Sequence, residues 1–435
     1  MTRKQFFFAA VAGFIFVAAA RAENWPQWRG PLFNGSTTES GLPETWSKTK
    51  NVAWVAPMPG MSAATPAVWG DSVFVTSADA GGQLWLICVN RPDGIVRWQK
   101  LLGLGDMAKG NNTMVSPSPV TDGSIVIAMF GTGDLAALDF TGNILWKRNL
   151  WKESGKFAIM WLYGSSPLLL DGRLYVQVLQ NKLPTYEHAK DDKPVRESFL
   201  LCIDPKTGKD IWRHIRPTDA QEESQESYAT PIPNRAKNAD EILLVGGDYV
   251  TAHNPETGEE IWRCAGLNVT HNHWRRIVPS AVTCDDIVIA CGPRRDPIFA
   301  IRDGGKGLVT DTHTAWRNPV LTADVCTPLV YQGKVFALDG DKKKIACVDP
   351  KTGTIKWAGD LPVDAVTRAS PTAADGKIFC ISENGTVVVL SAGDEFKILS
   401  TVNMAGESPC RASIAISDSQ LFIRTAKNLY CIGKK

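Results

Sequence analysis

One short hairpin sequence recurs along the chain and constrains the fold more than any other feature. Its clearest copy spans residues 200–213 and reads LLCIDPKTGKDIWR. Pro205 presets φ for the second position of a type I turn, the Asp204 side chain bonds the turn, and Gly208 takes the left-handed position that follows. Apolar residues precede the turn, and Trp212 lies in the return. The sequence therefore predicts two antiparallel strands joined by a tight turn.

Further segments carry the same hairpin or a degenerate form of it. Four are close copies, two are degenerate, and one at Trp54 lacks its first strand, which the chain end at 428–433 supplies. The aromatic markers of the return strands are Trp54, Trp98, Trp146, Trp212, Trp262, Trp316, Trp357 and Phe396. Their spacings run from 39 to 66 residues, and a period of roughly 40 to 50 residues is typical of propeller blades.

A second signal alternates with the first. A Ser/Thr-Pro step opens an apolar strand, a Gly/Asp turn follows, and a second apolar strand returns. The steps are Thr65-Pro66, Ser116-Pro117, Ser166-Pro167, Thr327-Pro328 and Ser370-Pro371. Two hairpins per period make a four-stranded blade, and eight markers make eight blades. The sequence thus predicts an all-β, eight-bladed β-propeller, closed by an N-terminal strand from Val52 to Val55 that pairs with the C-terminal blade.

The repeated motif resembles a known family. D-P-x-T-G-x-x-x-W, set around an eight-bladed ring, is similar to the PQQ-like (quinoprotein-type) β-propeller repeat from Trp54 to the C-terminus. The stretch WPQWRGP at 25–31 looks like the start of an exported bacterial group of that family. The architecture is similar to that of the propeller subunit of the outer-membrane β-barrel assembly machinery. That subunit is a lipoprotein, whereas no cysteine stands at the predicted cleavage point of this chain.

Three segments are predicted along the chain. Residues 1–22 are interpreted as a secretory signal peptide, with Arg3 and Lys4 before a 15-residue apolar run and a small-x-small cleavage site at the end. Residues 23–50 are expected to form an irregular arm whose tryptophans pack as core, and residues 51–435 the propeller. We therefore expect an exported protein, periplasmic or secreted, and a monomer.

Charge argues against two classes of partner. Removal of the signal takes Arg3, Lys4 and Arg21 and brings the formal net charge from +2 to −1. A near-neutral chain has no long-range attraction for nucleic acid or for an anionic membrane. After the signal, no apolar run approaches the roughly 18 residues that a transmembrane helix needs.

The ten cysteines follow the repeat. Four of them, at 88, 202, 347 and 431, occupy one slot in the strand before the turn, where other copies hold alanine. A slot for a small buried residue suits a free thiol, so most are expected to be unpaired. Cys284 and Cys291 flank one hairpin turn, and a disulfide, if one forms, is expected between them.

The resemblance also implies a cofactor, but the family's cofactor-binding residues have no counterparts in this sequence. Quinone-dependent dehydrogenases with this repeat hold PQQ between a tryptophan and a disulfide of adjacent cysteines, beside a Ca²⁺ bound by acidic and amide side chains. This sequence has no adjacent cysteines, and no matching set of acids and amides can be placed on it. We expect no cofactor. The alternative is that the protein binds PQQ with Ca²⁺. His271 and His273, with His253 as the nearest third ligand, are either a metal site or a polar loop at the ring mouth.

The repeat register predicts a site at the ring axis. The residues just before the Ser/Thr-Pro steps occupy equivalent positions, and Arg276, Arg368 and Arg411 are assigned to three of them, with Tyr228 at a fourth. A ring brings equivalent positions to one radius and height, so these side chains should surround a central funnel. The neighbouring candidates are Trp161, His273 and Asp324. Clustered arginines indicate an anion or carboxylate ligand, unless each arginine pairs with an acid such as Asp324 and locks two blades together.

The function predicted from these features is that of a non-catalytic scaffold. It would bind a protein or a small anionic ligand at the propeller face or mouth, in the cell envelope or in outer-membrane protein assembly. The alternative is a PQQ-dependent quinoprotein alcohol dehydrogenase. Enzyme activity therefore stays open, although the residues favour a protein without it. A glycoside-hydrolysing propeller would need two carboxylates converging at the mouth, and the aligned positions hold none.

Overall fold

Eight antiparallel sheets form a closed ring of blades. The computed structural model describes residues 23–47, 49–236, 240–404 and 406–434, so the predicted signal peptide at 1–22 lies outside the described residues. In each of the first seven blades the strand nearest the ring axis comes first in sequence and the outermost strand comes last. The predicted all-β, eight-bladed propeller is confirmed.

The strands of the first four blades follow the N-terminal strand β1 (Val52–Pro57). Blade one holds β2 (Ala67–Trp69), β3 (Ser72–Ala78), β4 (Gln83–Asn90) and β5 (Val96–Leu104), and the hairpin β6 (Ala108–Lys109) and β7 (Asn112–Thr113) follows it. Blade two holds β8 (Val120–Thr121), β9 (Ile125–Met129), β10 (Asp134–Asp139) and β11 (Ile144–Asn149), and helix α1 (Leu150–Ser154) follows. Blade three holds β12 (Leu168–Leu170), β13 (Arg173–Val178), β14 (Phe199–Ile203) and β15 (Asp210–Ile215), with 3₁₀ turns at Glu187–Ala189 and, after the blade, at Glu222–Gln225. Blade four holds β16 (Ile232–Pro233), β17 (Ile242–Gly246), β18 (Tyr249–His253) and β19 (Glu260–Ala265).

The second half of the ring has the same four-stranded blades, with one insertion in blade five. Blade five holds β20 (Val282–Cys284), β21 (Ile287–Cys291), β22 (Pro297–Arg302) and, after β23 (Gly307–Leu308) and α2 (Thr310–His313), β24 (Thr314–Thr322). Blade six holds β25 (Leu329–Tyr331), β26 (Lys334–Asp339), β27 (Lys344–Val348) and β28 (Ile355–Asp360). Blade seven holds β29 (Thr372–Ala374), β30 (Lys377–Ile381), β31 (Thr386–Ser391) and β32 (Ile398–Asn403). Blade eight holds β33 (Ala415–Ser417), β34 (Gln420–Arg424) and β35 (Asn428–Ile432). The short β23 adds in parallel to the outer edge of blade four.

The two ends of the chain meet in blade eight, as predicted. Strand β1 pairs antiparallel with β35, with Trp54 opposite Cys431 and Pro57 opposite Asn428. The N-terminal strand thus completes a sheet whose other three strands come from the C-terminus. Joining the ends within one sheet leaves no open end in the ring of blades.

The repeated turn packs against the tryptophan of the preceding blade and accepts a hydrogen bond from it. Trp146 donates its indole Nε1–H to the Pro205 carbonyl at 2.8 Å. Gly208 has φ +72°, and a Cβ there would lie 2.6 Å from the Trp146 ring. The same indole-to-turn hydrogen bond joins Trp54 to Arg91, Trp98 to Phe140, Trp212 to Pro255, Trp316 to Pro350 and Trp357 to Gly393. The motif therefore recurs because its turn and its tryptophan interlock neighbouring blades.

A ring of hydroxyl groups surrounds the axis. The backbone N–H of seven of the eight ring residues donates to the side-chain hydroxyl of the equivalent residue in the next blade. The seven bonds, of 2.8–3.1 Å, link Thr65, Ser118, Ser166, Thr230, Ser280, Thr327, Ser370 and Ser413 in that order. We refer to these eight residues as the hydroxyl ring.

The hydroxyl ring corrects the predicted register in two blades. In blade two the ring residue is Ser118 rather than Ser116, because two Ser-Pro steps stand two residues apart. In blade five it is Ser280, which follows a proline instead of preceding one. The position equivalent to Arg368 in blade five is therefore Val278, and the assignment of Arg276 to that position was wrong by two residues.

The N-terminal arm covers one end of the axis, on the face that carries the repeated turns. Trp25 is fully buried and pairs with Val68. Arg29, also buried, donates to the carbonyls of Pro328 at 2.9 Å and Pro371 at 3.0 Å, which directly follow two residues of the hydroxyl ring. Burial lowers the pKa of Arg29 to about 9. Trp28 contributes to the wall of the axial channel beside the hydroxyl ring, so the arm lies at this lower end.

All ten cysteines are buried thiols, and the expected Cys284–Cys291 disulfide was wrong. Cys284 lies opposite Ile287, next to the turn of the hairpin. Cys291 lies four residues further along β21, or about 13 Å at the rise of a strand. Flanking one turn in sequence therefore does not bring the two sulfurs together.

Candidate functional site

Six of the seven predicted site residues line one cavity. It has a volume of about 320 Å³ and lies on the axis, on the upper face of the ring, opposite the arm. We call this cavity the funnel. The predicted residues in its wall are Trp161, Tyr228, Arg276, Asp324, Arg368 and Arg411. The sequence reasoning missed Asn111, Asn112 and Arg294, which line it as well.

The seventh predicted residue, His273, lies elsewhere. It is exposed on the loop that follows blade four, and its backbone carbonyl accepts the N–H of Ser224 at 2.9 Å. His253 is buried in β18, where its ring bonds the Gly258 carbonyl and the Thr251 hydroxyl. Within residues 23–47, 49–236, 240–404 and 406–434, no three His, Cys, Asp or Glu side chains are arranged to hold a metal ion.

Each of the three predicted arginines has an acidic partner. Arg411 Nε lies 2.7 Å from Glu383, and Arg368 Nη1 lies 2.7 Å from Asp341. Arg276 lies 3.5 Å from Asp324 and 3.6 Å from Glu223. Of the two alternatives left open by the sequence, the one in which each arginine pairs with an acid describes these contacts, so the cluster of arginines does not by itself indicate an anion ligand.

The ion pairs differ in how many hydrogen bonds their arginine and acidic side chains make. Arg411 donates to Glu383 and twice to Asn111, so each of its three guanidinium nitrogens has a hydrogen-bond partner. Both Arg276 contacts are longer than a hydrogen bond. Arg368 Nε and Asp324 Oδ1 are buried and have no hydrogen-bond partner among the described residues. Leaving such an atom unpaired typically costs about 1–3 kcal/mol, so the funnel wall presents one unsatisfied donor and one unsatisfied acceptor.

The hairpin formed by β6 and β7 crosses part of the mouth. Its Asn111 accepts from Arg411 of blade eight at 2.9 Å through the backbone carbonyl. A Cβ at Gly110 would lie 2.9 Å from the Trp161 ring, so the hairpin backbone covers that ring closely. The Lys109 ammonium lies 5.4 Å from the centroid of the Tyr186 ring. The long connection between blades one and two therefore forms one rim of the funnel.

A buried carboxyl group stands behind the funnel wall. Glu226 accepts from the Tyr186 hydroxyl at 2.5 Å, from the Met160 N–H at 2.8 Å and from the Tyr228 hydroxyl at 3.3 Å. Burial is the largest cause of its shift and raises the pKa of Glu226 to about 8. The Trp161 N–H also donates to the Tyr228 hydroxyl, at 3.0 Å. The protonation of Glu226 is therefore linked through Tyr228 to the funnel wall.

The residues of the funnel do not match the PQQ site that the repeat family implies. That site needs a disulfide of adjacent cysteines, and the sequence has no such pair. It also needs a group of acidic and amide ligands for Ca²⁺, whereas Asp324 is the only carboxylate lining the funnel among the described residues. The Trp161 indole, which would be the stacking partner, bonds Glu223 at 2.9 Å and faces the hairpin backbone.

The fold is that of a quinoprotein-type propeller, and the sequence assigns its family. A family model described as outer membrane protein assembly factor BamB matches residues 36–191 and 305–396, more than half of the chain. The chain therefore belongs to this BamB-like family of PQQ-like propellers. No curated protein matches it in sequence.

Solved structures share the fold at low sequence identity. BamB from Moraxella catarrhalis is 15% identical, with 88% of this chain and 100% of that chain covered and a TM-score of 0.59. A europium-containing methanol dehydrogenase is 10% identical over 94% of this chain and 89% of that one, with a TM-score of 0.67. The quinohemoprotein alcohol dehydrogenase from Comamonas testosteroni is 11% identical over 96% and 82%, with a TM-score of 0.70. None of the helices in the described part of the chain has the length and apolar character to cross a bilayer.

Proposed function

We propose that the protein is an exported, non-catalytic β-propeller that binds a partner protein or a small carboxylate-bearing ligand at the funnel. One observation carries the proposal. The funnel wall holds Arg368 Nε and Asp324 Oδ1, which are both buried and have no hydrogen-bond partner in the described chain. Buried polar atoms are normally satisfied, so a bound group that supplies one acceptor and one donor accounts for both.

The cell envelope is the proposed setting. The sequence pattern of residues 1–22 is that of a secretory signal, and the family model is described by an outer-membrane assembly factor. We propose that cleavage leaves the arm, residues 23–50, and a single propeller, residues 51–435. The ten reduced cysteines do not conflict with export, because each is buried within the described structure.

The alternative is a PQQ-dependent alcohol dehydrogenase, as three of the structural neighbours are dehydrogenases. Those neighbours are about as similar in sequence as BamB and share the fold alone. The absence of adjacent cysteines from the sequence and the single carboxylate in the described funnel wall favour binding without redox chemistry. Binding is therefore the function that these residues support best.

The combined substitution Arg368→Ala with Arg411→Ala tests the proposal. Both side chains line the deep part of the funnel as well as its wall. We expect at least a tenfold loss in the proteins and small molecules captured by the immobilised mature chain from a periplasmic extract of bacteria that carry its gene, read by mass spectrometry. A tenfold loss corresponds to about 1.4 kcal/mol of binding free energy.

The matched control is Arg173→Ala with Arg213→Ala. These arginines also form ion pairs, with Glu256 and Glu197, but lie outside the funnel. The control is expected to capture the same set as the wild type. An unchanged captured set for the funnel variant, or a lower melting temperature as its sole effect, would show that the two arginines act only in stability.

A further inference from the structure

Cationic and anionic side chains are balanced around the funnel. Four arginines line it, and four carboxylates contact those arginines within 4 Å. The arginines are Arg276, Arg294, Arg368 and Arg411, and the carboxylates are Glu223, Asp324, Asp341 and Glu383. A ligand with a single negative charge would leave this set unbalanced in a partly desolvated site, whereas a ligand with one charge of each sign would not.

The two unsatisfied atoms have opposite hydrogen-bonding chemistry. Arg368 Nε–H is a donor, and Asp324 Oδ1 is an acceptor. The Asp324 side chain is 9% exposed, and its nearest cation, on Arg276, is 3.5 Å away. Arg276 itself makes no hydrogen bond with the described residues, so its guanidinium also has donors to offer. A fitting ligand therefore carries an acceptor group for the arginines and a donor group for Asp324.

The two groups lie at different depths. Arg368 lines both the funnel and the deeper channel beside Ser370 of the hydroxyl ring, whereas Asp324 lines the funnel but not that deeper channel. The funnel wall also presents apolar surface from Val278, Val325 and the Tyr228 ring, and Trp161 lies nearer the mouth at 38% exposure. The arm lies at the lower end, where Trp28 lines the deeper channel, so we expect a ligand to enter from the mouth with its acceptor group leading.

We propose that the funnel binds a small zwitterion, an α-amino acid or dipeptide, with its carboxylate on Arg368 and Arg276 and its ammonium on Asp324. An apolar side chain of the ligand then lies against Tyr228 and Trp161. A volume of about 320 Å³ is at the lower end of the range for small-molecule pockets, roughly 300–1,000 Å³, which limits the ligand to one or two residues. This assignment rests on the proposed function in taking the funnel as a binding site.

Isothermal titration of the full mature protein tests the assignment with defined probes. The panel consists of the twenty amino acids and the dipeptide Ala-Phe, and the strongest binder is then compared with its N-acetyl and its C-amide derivatives. At least one zwitterion is expected to bind with a Kd below about 1 mM, and each blocked derivative to bind at least tenfold more weakly, because each loses one of the two charges.

Substitutions locate the ligand. Asp324→Asn and Arg368→Met are each expected to weaken the strongest binder at least tenfold. Asp394→Asn and Arg173→Met are the controls, since these residues form ion pairs on the outer surface, and both are expected to bind as the wild type does. If a funnel variant fails to fold, the blocked derivatives still decide the question with the unaltered protein.

Three results overturn the assignment: no binding by any probe, equal binding of a blocked derivative, or binding that Asp324→Asn and Arg368→Met leave unchanged. The capture experiment separates this failure from failure of the proposed function. If the Arg368→Ala, Arg411→Ala protein loses its captured partners while no zwitterion binds, the funnel is a binding site for another ligand. If neither experiment responds to the funnel variants, both proposals fail together.

Discussion

Replacing Trp262 with alanine is expected to lower the free energy of unfolding by about 3–5 kcal/mol, the cost of a large-to-small substitution in a core. Trp262 is fully buried in the hydrophobic cluster between blades four and five. Its neighbours in that cluster include Phe299 and Val309. Its indole donates to Glu241 Oε2 at 3.2 Å, so the substitution also removes a donor from a carboxylate. Both losses act in the same direction.

Trp274→Ala is the matched control for this prediction. Trp274 is 59% exposed on the loop after blade four, and exposed substitutions usually change stability by about 0.5 kcal/mol or less. Denaturant unfolding followed by far-ultraviolet circular dichroism measures both, since this signal does not depend on tryptophan fluorescence. Equal destabilisation by the two substitutions would contradict the role assigned to Trp262 between the blades.

Glu226→Gln is expected to remove a large pH dependence of stability. An ordinary glutamate releases its proton near pH 4.5, whereas burial raises the pKa of Glu226 to about 8 in the folded protein. Between these values the folded state holds one more proton than the unfolded state, so the free energy of unfolding falls as pH rises, by up to about 1.4 kcal/mol per pH unit. The wild type therefore loses about 3 kcal/mol relative to Glu226→Gln between pH 5 and pH 8.

The groups that face Glu226 do not reverse this sign. The Tyr186 and Tyr228 hydroxyls and the Met160 N–H bond its carboxyl, and Glu223, a charge of the same sign, raises its pKa further. Glutamine keeps the size of the side chain and its acceptor oxygen. Glu256→Gln, at an exposed ion pair with Arg173, is the control and should follow the wild type. Parallel stability curves for wild type and Glu226→Gln would show that Glu226 is ionised in the folded protein.

The sequence predicted the architecture because the residues that make the contacts between blades belong to short, recurring motifs. Each tryptophan, such as Trp146, packs on the turn glycine of the next copy, such as Gly208, so the spacing of the two residue types reports the contact directly. The closure was predictable because Trp54 lacked a partner strand that the chain end supplied. The register failed at Ser118 and Ser280, where the hydroxyl ring does not coincide with a simple Ser/Thr-Pro step.

The site was predictable in position but not in its charge balance. Ring geometry brought Arg368 and Arg411 to the axis without any knowledge of contacts. Their partners, Asp341 and Glu383, each lie between the second and third strands of the preceding blade, and a search for acids at that repeat position would have found them. His273 was placed wrongly because the loop after blade four is longer than the repeat and does not follow its register.

The most direct test of the binding account is the oxidation of primary alcohols, coupled to a redox dye, by the purified mature protein with added PQQ and Ca²⁺. Absorbance spectroscopy of the same samples after desalting reports whether PQQ is retained. The account predicts no dye reduction above a protein-free control and no retained cofactor absorbance. Alcohol-dependent turnover that Asp324→Asn abolishes would contradict it and would make the funnel a catalytic centre.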